Sequence, residues 1–521
     1  MARLHEYQGK ELLKKFKIAV PKGDVARSPT EAHQIAEDIG GEVMVKAQAW
    51  VTGRAELGGI KKASNPAQAE EAARHMLGMK VKNFTVEEVL VEERVEIARE
   101  FYAGVIIDDA AQQPLIMFSS VGGTGIEEIA LAHPDRVARM HVDMGTGLLD
   151  FQARDLVRRT GIGGKLQLVL GGVLVNLFRV AQQSDARAAE INPLVQLTDG
   201  SLKAADCRIT VDDYGVFRHK DLGIAIAREY DRPPTALEKI AYDVEAGDYR
   251  GTFYFIQMAE DFEHGEAFVG FHGAGGGGSM MSMDAVMRQG YKLATFVDTS
   301  GNPPASKVYR AARIVLASGP VDGYFGSGSG VASQEQFHSA RGFVKAFLEE
   351  QVDVPIVIRL GGNSEDKAVE ILEWLNGWVP APVEGYRKDD PPDYCAERLH
   401  ALIREEPRVA PKQRPGPAPA VAGTEQRLYQ FETVTGGTIT YNHSLCAVCE
   451  SKVCVEECAR QILSLNAEGL PELNITREEA KRGRCVECLA CEVDCTFKGA
   501  GGGQIHLPIP GLDDYLNGAD A

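Results

Sequence analysis

The 521-residue sequence has no run of about 18 or more apolar residues, so no transmembrane helix and no membrane insertion are expected. A hydrophobic leader is missing too. The chain opens Met1-Ala2-Arg3-Leu4-His5-Glu6-Tyr7-Gln8, polar within a few residues, and no secretory signal is expected. Positive charge is in deficit: 56 Lys and Arg face 74 Asp and Glu, a formal charge of −18. That balance excludes bulk nucleic-acid binding but leaves room for a local phosphate site, which needs only a few donors. No fixed-period repeat is present. What remains is the composition of a globular chain, with a mean hydropathy of −0.17 and a length that suggests about three domains.

Cysteine is scarce except in one place. Of ten cysteines, eight lie between Cys446 and Cys495, and Cys207 and Cys395 read as ordinary buried thiols. In a long chain without a leader, such clustering points to metal rather than to disulfides. Proline is concentrated as well. Five prolines between Pro407 and Pro419 read as an extended tether. The expected organisation is therefore residues 1–240, residues 241–403, a linker over 404–424, and a small domain over 425–521.

Short β-type runs alternate with helical patterns before the tether, which predicts α/β architecture. Strands are expected at 43–46, 89–91, 102–107, 114–118, 267–271, 293–297 and 355–360. The last three are nearly continuous apolar runs, as strands covered on both faces should be. A helix is predicted over 366–374, where Ala368, Ile371 and Leu372 share a face.

Two elements of the front part carry oxygen and nitrogen donors suited to a nucleotide. Lys46 ends a strand before a loop containing Gly53, Arg54, Gly58 and Gly59, where an ammonium and close backbone N–H groups can meet a polyphosphate. Glu190-Ile191-Asn192-Pro193-Leu194 and Asp206 offer hard oxygen ligands for Mg²⁺. Either element alone is an ordinary surface feature. Together with Leu4-His5-Glu6-Tyr7-Gln8, Leu90-Val91-Glu92 and Ile97-Ala98-Arg99-Glu100, in order, they resemble the β subunit of succinyl-CoA synthetase and its nucleoside-diphosphate-forming acyl-CoA synthetase relatives, over residues 1–400. The resemblance implies an ATP-grasp domain followed by a CoA-ligase-type, flavodoxin-like α/β domain. It also implies that Lys46, Gly53 and Arg54 hold the phosphates of ATP or GTP, and that Glu92 and Glu100 contact the nucleoside. By the same resemblance Asn192 and Asp206 bind Mg²⁺, and Glu190 orients a phosphohistidine presented by an α-type, CoA-binding partner subunit.

The back part carries a glycine-rich turn, Gly273 to Gly278, opening a helical pattern: an anion site at the positive end of a helix. Gly275, Gly276 and Gly277, with Ser327, Gly328 and Ser329 of a later loop, form the expected phosphate and substrate loop. Here the sequence departs from the resembled family. His272 stands where an Asn precedes Gly-Ala-Gly, the glycine turn is longer, and the loop over 324–331 has lost an arginine. These changes fall on the carboxylate pocket, so a small carboxylic acid other than succinate is expected. His272 itself reads as a satisfied strand-end histidine rather than a nucleophile.

Beyond the tether, Cys446-x2-Cys449-x4-Cys454-x3-Cys458 and Cys485-x2-Cys488-x2-Cys491-x3-Cys495 form two four-cysteine runs. Thiolates at this density suit iron–sulfur clusters, with four-thiolate zinc as the alternative. The repeated run resembles a bacterial two-cluster ferredoxin, a small α+β fold, although Ala459 and Thr496 replace the usual proline and the first run is two residues longer. In that pattern the fourth cysteine crosses over. One [4Fe–4S] cluster would take Cys446, Cys449, Cys454 and Cys495, and the other Cys458, Cys485, Cys488 and Cys491. The expected function is an acid–CoA ligase subunit that also relays electrons to a redox partner in a reducing cytoplasm. The alternative is an electron-transfer subunit whose synthetase-like body is an ATP-driven gate or scaffold.

Overall fold

The structure, a computed structural model, describes residues 1–51, 53–122, 131, 133–228, 232–250, 252–328, 330–405 and 427–518. The chain divides into two compact units, Met1–Pro233 and Pro234–Ala521.

The first unit holds two main antiparallel sheets. A four-stranded sheet runs Gly23–Ala26, Val89–Glu93, Val43–Ala47, Ile60–Ala63. Its strands alternate: Val43, Val45, Ala47, Val89 and Val91 enter a core with the helices Pro29–Ile39 and Pro66–Met76, and Lys46 and Glu92 face the other way. Both helices start cleanly, with Ser28 and Asn65 accepting backbone N–H bonds ahead of a proline in the first turn. The larger, seven-stranded sheet follows the order Ala2–Arg3, Cys207–Val211, Ala186–Leu197, Ile97–Asp108, Gln113–Ser119, Val137–His141, with Leu202–Ala204 on Ala186–Leu197. Across it lies the helix Gly164–Gln183. By length and composition this helix is long and apolar enough to span a membrane, a property that Lys165, Gln167, Asn176 and Arg179 conceal in a search for unbroken runs. Its buried residues, among them Leu170, Leu174, Leu177 and Phe178, lie on one face, as expected of a helix covering a sheet.

The second unit is built on a six-stranded sheet of order Tyr254–Gln257, Lys292–Asp298, Phe268–Ala274, Gly323–Gly328, Ile356–Arg359, Val383–Tyr386. Five strands are parallel and Tyr254–Gln257 is an antiparallel edge. The parallel strands have the flavodoxin-like order 2-1-3-4-5, whose switch point lies between the carboxyl ends of Phe268–Ala274 and Gly323–Gly328. Helices cover both faces. The predicted helix over 366–374 is Glu365–Glu373, and the last helix of this part, Pro392–Glu405, runs past residue 403. Most of the predicted tether lies outside the described residues. After it come a three-stranded sheet (Leu428–Glu432, Thr438–Asn442, Gly503–His506), a hairpin (Leu463–Leu465 with Pro471–Leu473) and the helix Ala490–Lys498. This module is docked within the unit. Phe497 packs on Trp374 and Trp378, and cations of the helix Phe337–Glu350 meet its acids.

Candidate functional site

In the first unit, strand alternation turns Lys46 and Glu92 toward the helix Glu6–Lys15, and a largely buried ion cluster results, with Asp206 half-exposed at its edge. Glu6 binds Lys10 at 2.7 Å and Lys46 at 2.8 Å through Oε1, and Arg54 at 2.7 Å through Oε2. Glu92 binds Lys10 at 2.6 Å and Lys46 at 2.7 Å. Arg54 also meets Asp206 at 3.0 Å and the Ala47 carbonyl at 3.0 Å. Lys10, Lys46 and Arg54 therefore balance Glu6, Glu92 and Asp206. Burial opposes charge on Lys46, but Glu6 and Glu92 outweigh it and hold the ammonium above its ordinary range. The three cations likewise hold the Glu6 carboxyl below the carboxylate range against its own desolvation.

Above the cluster opens a cavity of about 400 Å³ lined by His5, Glu6, Trp50, Gly53, Arg54, Glu190, Asn192, Asp206 and neighbours. Five of the eight residues expected at the nucleotide meet here: Gly53, in the left-handed region at φ +72°, with Arg54, Glu190, Asn192 and Asp206. The Asn192 N–H donates to the Asp206 carbonyl at 3.1 Å, which holds the two side chains on one wall. Lys46 lies beneath, one carboxylate away. Glu92 is spent on Lys10 and Lys46, and Glu100, in the strand Ile97–Asp108, is not among the lining residues. Sequence reasoning missed Glu6 and Lys10. Their i,i+4 spacing, which starts in the quoted opening motif and ends two residues beyond it, was the available signal.

Asp206 is the strained member. Desolvation first, and then the Glu6 charge, raise its carboxyl, with Lys46, Arg54 and Lys10 only partly compensating. A carboxyl raised in the folded state lowers stability once it ionises, so its cost fades as pH falls through the raised value. Asp206→Asn is expected to raise the melting temperature at neutral pH while removing Mg²⁺-dependent nucleotide binding, because the ligand charge is lost and the electrostatic penalty with it. Calorimetry and nucleotide titration with and without Mg²⁺ check both halves; a destabilised variant with binding intact refutes the assignment.

At the switch point of the second unit, Gly275 has φ +99° and donates its N–H to Asp298 at 2.9 Å, which turns the chain into the helix Gly276–Arg288. Gly276 and Gly277 are exposed in its first turn, so their N–H groups face outward from the positive helix end. Ser327 does not point outward. It is buried and shares a hydrogen bond of 2.7 Å with Ser282. The Gly328 carbonyl accepts from Arg359 at 3.2 Å, and Ser329 lies outside the described residues. Arg359 also donates to the carbonyls of Lys388 and Asp390, so its guanidinium is committed to backbone. His272 sits inside the sheet, 1% exposed, with Nδ1 2.7 Å from the Tyr324 hydroxyl. Burial pushes its imidazole down to about 3, so the ring is neutral at physiological pH and belongs to the core.

In the C-terminal module the cysteine charges fall into two groups. Cys446 and Cys454 act on each other and on Cys449 and Cys495. Cys491 acts with Cys488, Cys485 and Cys458 and, more weakly, with Cys454 of the first group, and Cys485 and Cys488 each feel Cys458. The fourth cysteine of each run thus neighbours the other run. Cys458, Cys485, Cys488 and Cys491, with Cys454, line one cavity. Close packing is required around them: a Cβ on Gly503 would lie 1.8 Å from the Cys491 carbonyl oxygen. Among the described residues no three His, Cys, Asp or Glu side chains converge tightly enough to hold a single metal ion.

Comparison with known proteins agrees with the fold of both units. A family profile described as an ATP-grasp domain matches residues 3–196. The β subunit of GDP-forming succinate–CoA ligase from Thermus thermophilus is 39% identical over 371 residues, 71% of this chain and 93% of that one. The β subunit of ADP-forming succinate–CoA ligase from Roseiflexus sp. is 38% identical over 372 residues, with coverage of 71% and 93%. Among solved structures, ATP citrate lyase from Methanothrix soehngenii, in complex with citrate and coenzyme A, matches with a TM-score of 0.60 at 17% identity, covering 78% of this chain and 100% of that one. At that identity the likeness is one of fold. Identity near 39% sustained over almost the whole length of a relative makes this chain a member of the succinate–CoA ligase β-subunit family, the nucleoside-diphosphate-forming acid–thiol ligases.

Proposed function

We propose that this chain is the β-type subunit of an ADP- or GDP-forming acid–CoA ligase that also carries two [4Fe–4S] clusters. The observation that carries the ligase half is the cavity that brings Gly53, Arg54, Glu190, Asn192 and Asp206 together above Lys46. The oxygen donors of Asn192 and Asp206 on one wall suit Mg²⁺, a hard dication that bridges phosphates. A metal ion on Asp206 would release Arg54 from that carboxylate and leave its guanidinium for the phosphate oxygens. Lys46, beneath, would add charge to the transferring phosphoryl group. The phosphoryl group passes to a histidine of an α-type partner, oriented by Glu190, then to a carboxylate. The CoA thiol displaces phosphate from the resulting acyl phosphate. The exposed N–H groups of Gly276 and Gly277 suit the phosphohistidine. Ser327 and Arg359 are engaged within the protein, and the lost loop arginine with His272 in place of an Asn favours a carboxylic acid other than succinate.

The crossed grouping of the eight cysteines supports the second half. Thiolates at this density suit iron–sulfur clusters, with four-thiolate zinc as the alternative. Clusters of this kind would exchange single electrons with a redox partner protein.

The test is nucleoside diphosphate release by the oxygen-free complex with its α-type partner, across a panel of carboxylic acids, each with and without CoA. Release that requires both an acid and CoA is expected, and it names the acid. Hydrolysis indifferent to both refutes the ligase. It would support the gated electron-transfer reading, which the docking of the cysteine module on the second unit's helices favours.

A further inference from the structure

The helix Phe337–Glu350 of the second unit carries an arginine with no exposed surface, Arg341. Its Nε and Nη2 donate to the two oxygens of Asp494 at 2.6 and 3.1 Å, and Nη2 also reaches Glu457 at 2.9 Å. Asp494 precedes Cys495, and Glu457 precedes Cys458. Lys367 shares Glu457 at 2.7 Å, and the Phe337 ring lies under the guanidinium at 4.9 Å. One nitrogen is left over. Nη1 is buried and has no hydrogen-bond partner among the described residues, although Arg341 and Cys488 feel each other's charge. An N–H pair withdrawn from water without an acceptor costs about 1–3 kcal/mol, so an acceptor is expected in the working protein.

We propose that Arg341 is the donor to the inner cluster, the one held by Cys458, Cys485, Cys488 and Cys491, and sets its reduction potential. This inference rests on the cluster reading above. A guanidinium N–H on a cluster sulfur stabilises the extra electron of the reduced state, [4Fe–4S]²⁺ + e⁻ → [4Fe–4S]⁺, and raises the potential. The outer set has other partners, the Lys452 charge near Cys446 and the Ser451 hydroxyl 3.6 Å from the Cys449 sulfur, and ends at an exposed edge, where Val448 beside Cys449 is 75% exposed. The two clusters therefore sit in different surroundings, a buried guanidinium beside the inner one and Lys452 with Ser451 beside the outer one. Arg341 acts on the cluster as a positioning and tuning residue. The helix that bears it also packs Phe343 on His272, 4.8 Å between ring centres, beneath the switch point.

The experiment is a redox titration of the full-length, cluster-loaded chain, followed by electron paramagnetic resonance, with dithionite as the electron source. Wild type is expected to show two one-electron midpoints. Arg341→Gln should lower one midpoint and leave the other in place, and Arg341→Lys should retain part of the effect through its charge. Lys345→Gln, which removes a neighbouring docking contact to Glu492, should move neither. Should the glutamine variant fail to fold, wild type labelled with ¹⁵N-arginine serves instead. Pulsed resonance of its reduced cluster should show a guanidinium nitrogen coupling that Arg341→Lys abolishes. Unchanged midpoints, equal shifts of both, or no such coupling overturn the inference alone. A wild-type chain that binds no iron overturns the cluster reading beneath it as well.

Discussion

Lys46→Ala is expected to reduce nucleotide turnover by about 10²–10³-fold, the scale set by removing one preorganised charge from a phosphoryl-transfer site. The variant should also lose stability. Lys46 is nearly buried, and its removal leaves Glu6 and Glu92 sharing Lys10, with Arg54 still on Glu6. Breaking a buried pair costs about 3–5 kcal/mol, and the surviving partners place the expected loss at the low end of that range. A comparison separates the two effects. Lys10 occupies the same cluster, binds the same two glutamates and donates to the same Ala205 carbonyl, but it lies farther into the core, behind Glu6. Lys10→Met should therefore lower the melting temperature by a similar amount and leave turnover within about tenfold. The measurements are calorimetry and nucleoside diphosphate release in the assembled complex. Equal losses of turnover in the two variants would show that Lys46 is structural. Retained turnover in Lys46→Ala would remove it from the nucleotide site. Iron content should be unaffected in both, because the cysteine module belongs to the other compact unit.

Serine substitution in the cysteine module has an equally large and more discriminating expected outcome. With two [4Fe–4S] clusters the wild-type chain should bind about eight irons. The double variant Cys446→Ser/Cys495→Ser takes one cysteine from each sequence run but, in the crossed grouping, strikes a single cluster. It should keep about four irons and one paramagnetic signal on reduction. The pair Cys446→Ser/Cys458→Ser takes both cysteines from one run and, in the crossed grouping, strikes both clusters. Iron should then fall toward zero. If the runs instead close on themselves, the outcomes exchange: the first variant loses both clusters and the second loses one. Elemental analysis that finds zinc in place of iron removes the clusters altogether.

The opening motif, the strand-end Lys46 and the cysteine runs were legible because each is local, whereas Asn192-Pro193, which alone reads as a turn, lies inside the strand Ala186–Leu197. A strand, a turn and a spacing can be read from neighbouring residues, and their order along the chain carried the family resemblance. Glu92 shows where this reasoning ends. Its place next to Leu90 and Val91 identified a strand, and two-residue alternation put it on the face away from the Val89 core. What occupies that face is the helix Glu6–Lys15, some 80 residues earlier, and the partners Lys10 and Lys46 follow from that packing alone. Ser327 behaved likewise. A serine between glycines reads as a loop ligand, yet it lies near the end of the buried strand Gly323–Gly328, and Ser282 of the helix Gly276–Arg288 takes its hydroxyl into the core. His272 was read as a satisfied strand-end residue, and the Tyr324 hydroxyl supplies the partner that makes the substitution tolerable there.

The sequence by itself determined the α/β alternation, the doubly covered strands, the glycine turn at a helix start and the two cysteine runs, because propensity, periodicity and spacing act over a few residues. Only the tertiary structure decided which charges neutralise one another. Arg341 and Lys345 sit on the helix Phe337–Glu350. They are buried because Asp494, Glu457 and Glu492, more than 100 residues away in sequence, arrive to pair with them. A buried charge is stable only when matched, and the match is made by the fold.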